Sequence, residues 1–101
     1  RHAPAGLWRV RDGKSAPLEM LRGAKVTAAC AIAQPESFWR TLEELGAIVE
    51  NRLVFRDHQA FDAKDLPENA ERIVVTEKDA MRLPGAGKNV WALAVVLNDL
   101  P

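Results

Sequence analysis

A surplus of either charge is missing from this chain: over 101 residues, 14 Lys and Arg balance 14 Asp and Glu. No overall field draws it to nucleic acid or to an anionic lipid surface, and binding of either kind would need a local patch. Cysteine occurs once, as Cys30, which excludes an internal disulfide and suits a reducing compartment. Inside the apolar run VTAACAI, its expected role is that of a small core residue. Two histidines and one cysteine, far apart in sequence, are too few for a protein-only zinc site. Long apolar runs are absent as well. Nothing approaches the ~20 residues needed to span a bilayer, and the start, RHAPAGLWRV, has no apolar signal-peptide region. An initiator methionine is also lacking, so the chain is expected to be an excised or processed piece of a longer protein.

A glycine-rich phosphate loop is missing too. Gly13-Lys14-Ser15 matches the end of a Walker A loop, but the glycine required five residues before Gly13 is Trp8. Gly87-Lys88 is preceded at that distance by Arg82 and followed by Asn89. Neither stretch lies between a strand and a helix. Both read as loops, and nothing here cradles a nucleoside triphosphate in the P-loop manner.

What is present is the composition of a soluble globular domain, 48% hydrophobic and 28% charged. A chain of this size buries roughly 60–70% of its unfolded surface. Residues 7 to 10 and 18 to 21 flank RDGKSAP, whose Asp12-Gly13 signals a turn, so residues 1–24 read as a hairpin or linker arm. KVTAACAI has the apolar continuity of a strand buried on both faces. Pro35 then suits a first helical position, with Gln34 as N-cap, and Phe38, Leu42 and Leu45 recur at helical spacing until Gly46 stops the helix. Residues 47 to 55 read as a second strand. Asp62 is a candidate N-cap, although Pro67 leaves room for little more than a turn. RIVVT reads as a third strand, EKDAMRL as a helix whose Thr76 and Asp79 have the spacing of a capping box, and VWALAVVL as the last strand.

This alternation predicts an α/β fold: a mainly parallel sheet with flanking helices, a three-layer Rossmann-like half, over residues 25–101. Parallel strands would carry AQPE, RDHQ and VTEKD to one carboxyl edge, where ligands gather in such folds. In FRDHQAF, residues 55 to 61, His58 has two readings. It is either a loop imidazole closing a core made by Phe55 and Phe61, or a ring poised to move a proton near neutral pH. Asp57 need not orient it, because adjacent side chains of an extended segment point to opposite sides. Thr76, Glu77, Lys78 and Asp79 read either as a capped, solvated first turn or as a helix start facing an anion; Gln34 shares the second reading more weakly. Trp8, Trp39 and Trp91 read as packing residues.

The order of AIAQPESFWRTLEELGA, FRDHQAF, VVTEKDAMRL and VWALAV resembles the C-terminal half of the tetraacyldisaccharide 4′-kinases, the lipid A 4′-kinases of Gram-negative bacteria. That family shows a G-I-G/A-x-P-x-x-F-F segment, a D-H-x-x-F segment, a T-E-K-D-A segment and a closing W-x-L-P-V-like strand. The likeness spans about residues 5 to 97. Ala31 and Ala33 stand where many members have glycine, Trp39 replaces the second Phe, Arg82 a frequent Lys and Ala94 the proline. The stretch from Leu66 to Ile73 is short for the family.

The resemblance implies an ATP- and magnesium-dependent transfer of a phosphoryl group to the 4′ hydroxyl of the lipid A disaccharide precursor, at the cytoplasmic face of the bacterial inner membrane. It places the nucleotide and Mg2+ sites in an N-terminal P-loop domain, joined through residues 1–24. His58 would be this domain's catalytic contribution, with Asp57 as its support. Gln34, Thr76, Glu77, Lys78 and Asp79 would lie near substrate or nucleotide. No metal ligand and no nucleic-acid partner are expected within the chain, which should be inactive by itself. The alternative is a non-catalytic ligand-binding or protein-interaction α/β module.

Overall fold

The structure, a computed structural model, describes residues 2–31, 35–55 and 61–97. Six strands form one sheet: β1 (His2–Arg9), β2 (Ser15–Ala16), β3 (Lys25–Cys30), β4 (Ile48–Val54), β5 (Ile73–Thr76) and β6 (Val90–Leu97), in the spatial order β2-β1-β6-β5-β3-β4. The four strands β6, β5, β3 and β4 run parallel, and β1 and β2 join antiparallel at the β6 edge. Two helices complete the α/β fold, α1 (Pro35–Glu44) and α2 (Glu77–Ala80).

Period-2 alternation splits the buried side chains into two clusters, one on each sheet face. Val26, Ala28 and Cys30 of β3 join Val74 of β5 and Leu93 of β6 beneath α1. Ala29, Val75 and Ala92, one residue out of phase, pack with Ala80 of α2, Leu66 and Leu83. Every residue of β3 from Val26 to Cys30 is buried, as its uninterrupted apolar run predicts for an inner parallel strand.

Helix α1 starts at Pro35, where the missing N–H costs nothing, and buries Phe38, Trp39 and Leu42. Leu42 is fully buried, a transfer contribution of about 1.5–3 kcal/mol. The helix ends as expected at Gly46, whose φ of 89° needs a glycine. Its N–H reaches the Glu43 carbonyl while that of Ala47 reaches Leu42, which satisfies the last-turn acceptors. A short 3-10 turn at Ala63–Asp65 is capped by Asp62 in a box with Asp65, also as expected.

Two expected elements are shorter. EKDAMRL forms a single turn of helix, because the chain leaves it at Met81 and Arg82 toward the buried Leu83. Residues 18–21 make a 3-10 turn rather than the second arm of a hairpin; β1 pairs with Ser15–Ala16 instead. Residues 2 to 21 are thus part of the same sheet and core, with Leu7 and Leu21 fully buried.

The turn between β1 and β2 is held by charge. Arg9 donates to both Asp12 oxygens, at 3.1 Å from Nε and 2.7 Å from Nη2, and the Lys14 N–H donates to Asp12 Oδ1. Gly13 supplies the positive φ of 73° that the turn requires. The Arg9 hydrogen bond, helped by that of Lys14, lowers the Asp12 carboxyl from 3.8 to about 2. A depressed carboxyl contributes stability above its unfolded value that is lost as pH falls through the folded one. NMR titration should accordingly show Asp12 protonating near pH 2, with the turn loosening between pH 3.8 and about 2, and Arg9→Gln should return the midpoint to the usual carboxylate range.

Candidate functional site at the carboxyl edge of the sheet

Strand β3 is followed by α1 and β4 on one side and has β5 on the other, so the connections diverge at the carboxyl ends of β3 and β5. In open parallel sheets such a switch point leaves a crevice. The described chain reaches this edge at Ala31, Phe55 and Thr76, as the strand reading anticipates.

A cavity of about 350 Å³ opens there on the α1 face, within the size range of small-ligand sites. Ser37, Phe38 and Thr41 of α1 form one wall, Thr76, Glu77 and Lys78 another, and Leu93 and Val95 of β6 the floor. Phe38, Leu93 and Val95 make the interior apolar, while hydroxyls and charges ring the rim. Glu77 is fixed by an indole, since Trp8 Nε1 donates to its Oε2 at 2.9 Å. Lys78 is exposed and has no ion-pair partner among the described residues. Helix α2 is one turn long and carries Glu77 and Asp79 in that turn, so its macrodipole offers an anion little and any attraction rests on Lys78.

Asp79 is turned inward. It is 1% exposed, and its Oδ2 accepts the Thr76 hydroxyl at 2.7 Å and the Ala31 N–H at 3.0 Å. Thr76 Oγ1 in turn caps the Asp79 N–H. The expected capping box is therefore realised in its Thr76 half, whereas the Asp79 carboxylate takes the side-chain hydroxyl and reaches across to the end of β3.

His58, Asp57 and Gln34 lie outside the described residues. The two phenylalanines around His58 are described: their rings stack with centroids 4.2 Å apart and 8° between planes. Phe55 continues the β3–β4 ladder, its N–H donating to the Cys30 carbonyl at 2.9 Å. Phe55 and Phe61 pack on the sheet face opposite the cavity. Among the described residues no group of three or more His, Cys, Asp and Glu could hold a metal ion. No described helix is long and apolar enough to cross a membrane.

Ser37, Thr41 and Val95 are lining residues that the sequence does not single out, and the bonds from Trp8 to Glu77 and from Ala31 to Asp79 are likewise unannounced. These pairs are 69 and 48 residues apart, and no local pattern links them.

Comparison with known proteins agrees with this architecture. A model of the family described as tetraacyldisaccharide-1-P 4′-kinase matches residues 1–99. The chain belongs to this family. The tetraacyldisaccharide 4′-kinase of Chromobacterium violaceum is 48% identical over 82 residues, which cover 81% of this chain and 23% of that protein. That of Halorhodospira halophila is 39% identical over 100 residues, covering 95% and 29%. A crystal structure of the "apo" form of LpxK from Aquifex aeolicus in complex with ATP superposes with a TM-score of 0.75 and 27% identity, over 94% of this chain and 29% of that one. The chain thus spans about a quarter of the length of the curated relatives it matches.

The stacked pair gives this edge a measurable signature. Phe61 is 3% exposed, and Phe61→Ala is expected to cost about 3–5 kcal/mol, as removal of a buried aromatic does. Chemical denaturation reads the loss. Phe55→Leu, which keeps apolar volume but loses the stacked partner, should cost only about 0.5–1.5 kcal/mol.

Proposed function

We propose that this chain is the C-terminal domain of an ATP-dependent kinase that phosphorylates the 4′ hydroxyl of the tetraacyldisaccharide 1-phosphate precursor of lipid A. Residues 1–24 join it to an N-terminal P-loop domain, and residues 25–101 carry its share of the interdomain site. The observation that supports this reading is the Phe55–Phe61 stack at the carboxyl edge, which brackets the D-H motif in the sequence of a chain of the kinase family.

Phosphoryl transfer depends on positioning and charge neutralisation, with a base or its partner orienting the attacking oxygen. That role is assigned to His58, whose imidazole accepts the proton of the acceptor hydroxyl, with Asp57 as local support. Thr76, Glu77 and Lys78, at the rim of the cavity, and Gln34 are assigned positions near substrate or nucleotide. Asp79 is assigned to the same edge as a buried support. The described residues do not fit a magnesium site, lacking a metal-binding cluster, and the sequence has no P-loop. ATP and Mg2+ are therefore assigned to the N-terminal domain. The substrate is lipid-linked, so the full-length protein would work at the cytoplasmic face of the inner membrane. No part in nucleic-acid binding is assigned to the electrically balanced chain.

Two measurements test this. In the full-length enzyme, His58→Ala is expected to lower kcat by about 10²-fold or more with the melting temperature nearly unchanged; a large stability loss with unchanged turnover would make His58 a packing residue. The 101 residues alone should show no ATP-dependent phosphorylation of the disaccharide, and measurable turnover by them would contradict the assignment of the nucleotide site to another domain.

A further inference from the structure

A carboxylate buried to 1% exposure is costly, and an apolar residue of similar size would be less so unless the charge has work to perform. Asp79 stands where strand β5 runs out. The β3–β5 register pairs Thr27 with Ile73, Ala28 with Val74 and Ala29 with Val75. Continued by two residues, it would set Ala31 opposite Glu77, but there the chain has already turned into α2. The Ala31 N–H therefore has no β5 carbonyl to meet, and Asp79 Oδ2 takes it at 3.0 Å. The carboxylate acts as one further rung of the sheet, supplied by a side chain.

The carbonyl of that same peptide unit, Cys30 O, accepts the Phe55 N–H at 2.9 Å on the other side of β3. One peptide plane is thus gripped from both flanks. Its N–H is held by a charge-assisted bond, and bonds in series polarise and strengthen one another. Beyond it, Phe55 stacks on Phe61. The same Oδ2 also holds the hydroxyl of Thr76, a rim residue of the cavity.

We infer that Asp79 is a positioning residue for the proposed reaction: through the Cys30–Ala31 peptide it holds Phe55, three residues ahead of His58 in the chain. This inference rests on the assignment of His58 as the catalytic group. Asp79 touches neither substrate nor nucleotide in this role. Its substitution alters where the reacting groups stand rather than how tightly ligands are held.

The test is a double-mutant cycle in the full-length kinase. Asp79→Asn keeps an acceptor oxygen for Ala31 but removes the charge. It should lower kcat roughly ten- to hundredfold, as small misplacements of reacting groups do, with KM values within about twofold. Hydrogen exchange at the Phe55 amide should accelerate. In the His58→Ala background the same change should alter kcat by less than about twofold, because nothing remains to be positioned. An equal kcat loss in both backgrounds, a rise in KM at constant kcat, or unchanged exchange at Phe55 would each overturn the positioning role while leaving the His58 assignment standing. An unaltered kcat in His58→Ala alone would overturn that assignment and this inference with it. Should Asp79→Asn fail to fold, Asp79→Ser, which is smaller and keeps a hydroxyl oxygen but not the charge, runs through the same cycle with the same expectations.

Discussion

Strand β3 is the constraint on which the rest of this domain depends. It lies between β4 and β5, and its residues from Val26 to Cys30 are all buried. A strand covered on both faces can carry no polar face, and its small residues, Ala28 and Ala29, let α1 approach from one side and the α2 layer from the other. Apart from the buried Thr27, polar side chains reappear only where β3 ends. There the backbone must find partners outside the regular ladder, and Asp79 and the start of the Phe55–Phe61 segment supply them.

That end of the strand is also where chemistry becomes available in a parallel sheet. The connections after β3 and β5 diverge, leaving an edge whose side chains come from three loops rather than one. The cavity beside α1 and the stacked phenylalanines sit on opposite faces of this edge. In the proposed kinase this edge is half of a site, completed by a second domain that brings the phosphates.

Much of this is legible along the chain, and the reason is local. The apolar runs of β3 and β6, Pro35 and Gly46 bracketing α1, and Asp12-Gly13 at the first turn are short-range patterns, each backed by a steric or hydrogen-bonding rule. The common strand direction that brings Ala31, Phe55 and Thr76 to one edge follows from α/β alternation. Less legible is the length of α2. EKDAMRL has the composition of a helix, but the pull of Leu83 into the core ends the helix after one turn. The return strand of the first hairpin is two residues long, too short to leave a periodic trace, and the four residues 18–21 that look like an arm wind into a 3-10 turn to bury Leu21.

By itself the sequence determined strands β3 to β6, where α1 begins and ends, that no P-loop lies within the chain, and in what order its motifs run. These follow from sterics and periodicity acting over a few residues. Only the tertiary structure decided what the motif residues do to one another. Asp79, which has the spacing of a capping residue, faces inward and holds the end of β3; Glu77 is tied to Trp8 across the sheet; the hydroxyls of α1 meet Thr76 over a cavity. Such contacts join residues far apart along the chain, and a carboxylate's partner is set by which backbone N–H the folded sheet leaves unpaired, a fact that exists only once the strands have been laid side by side.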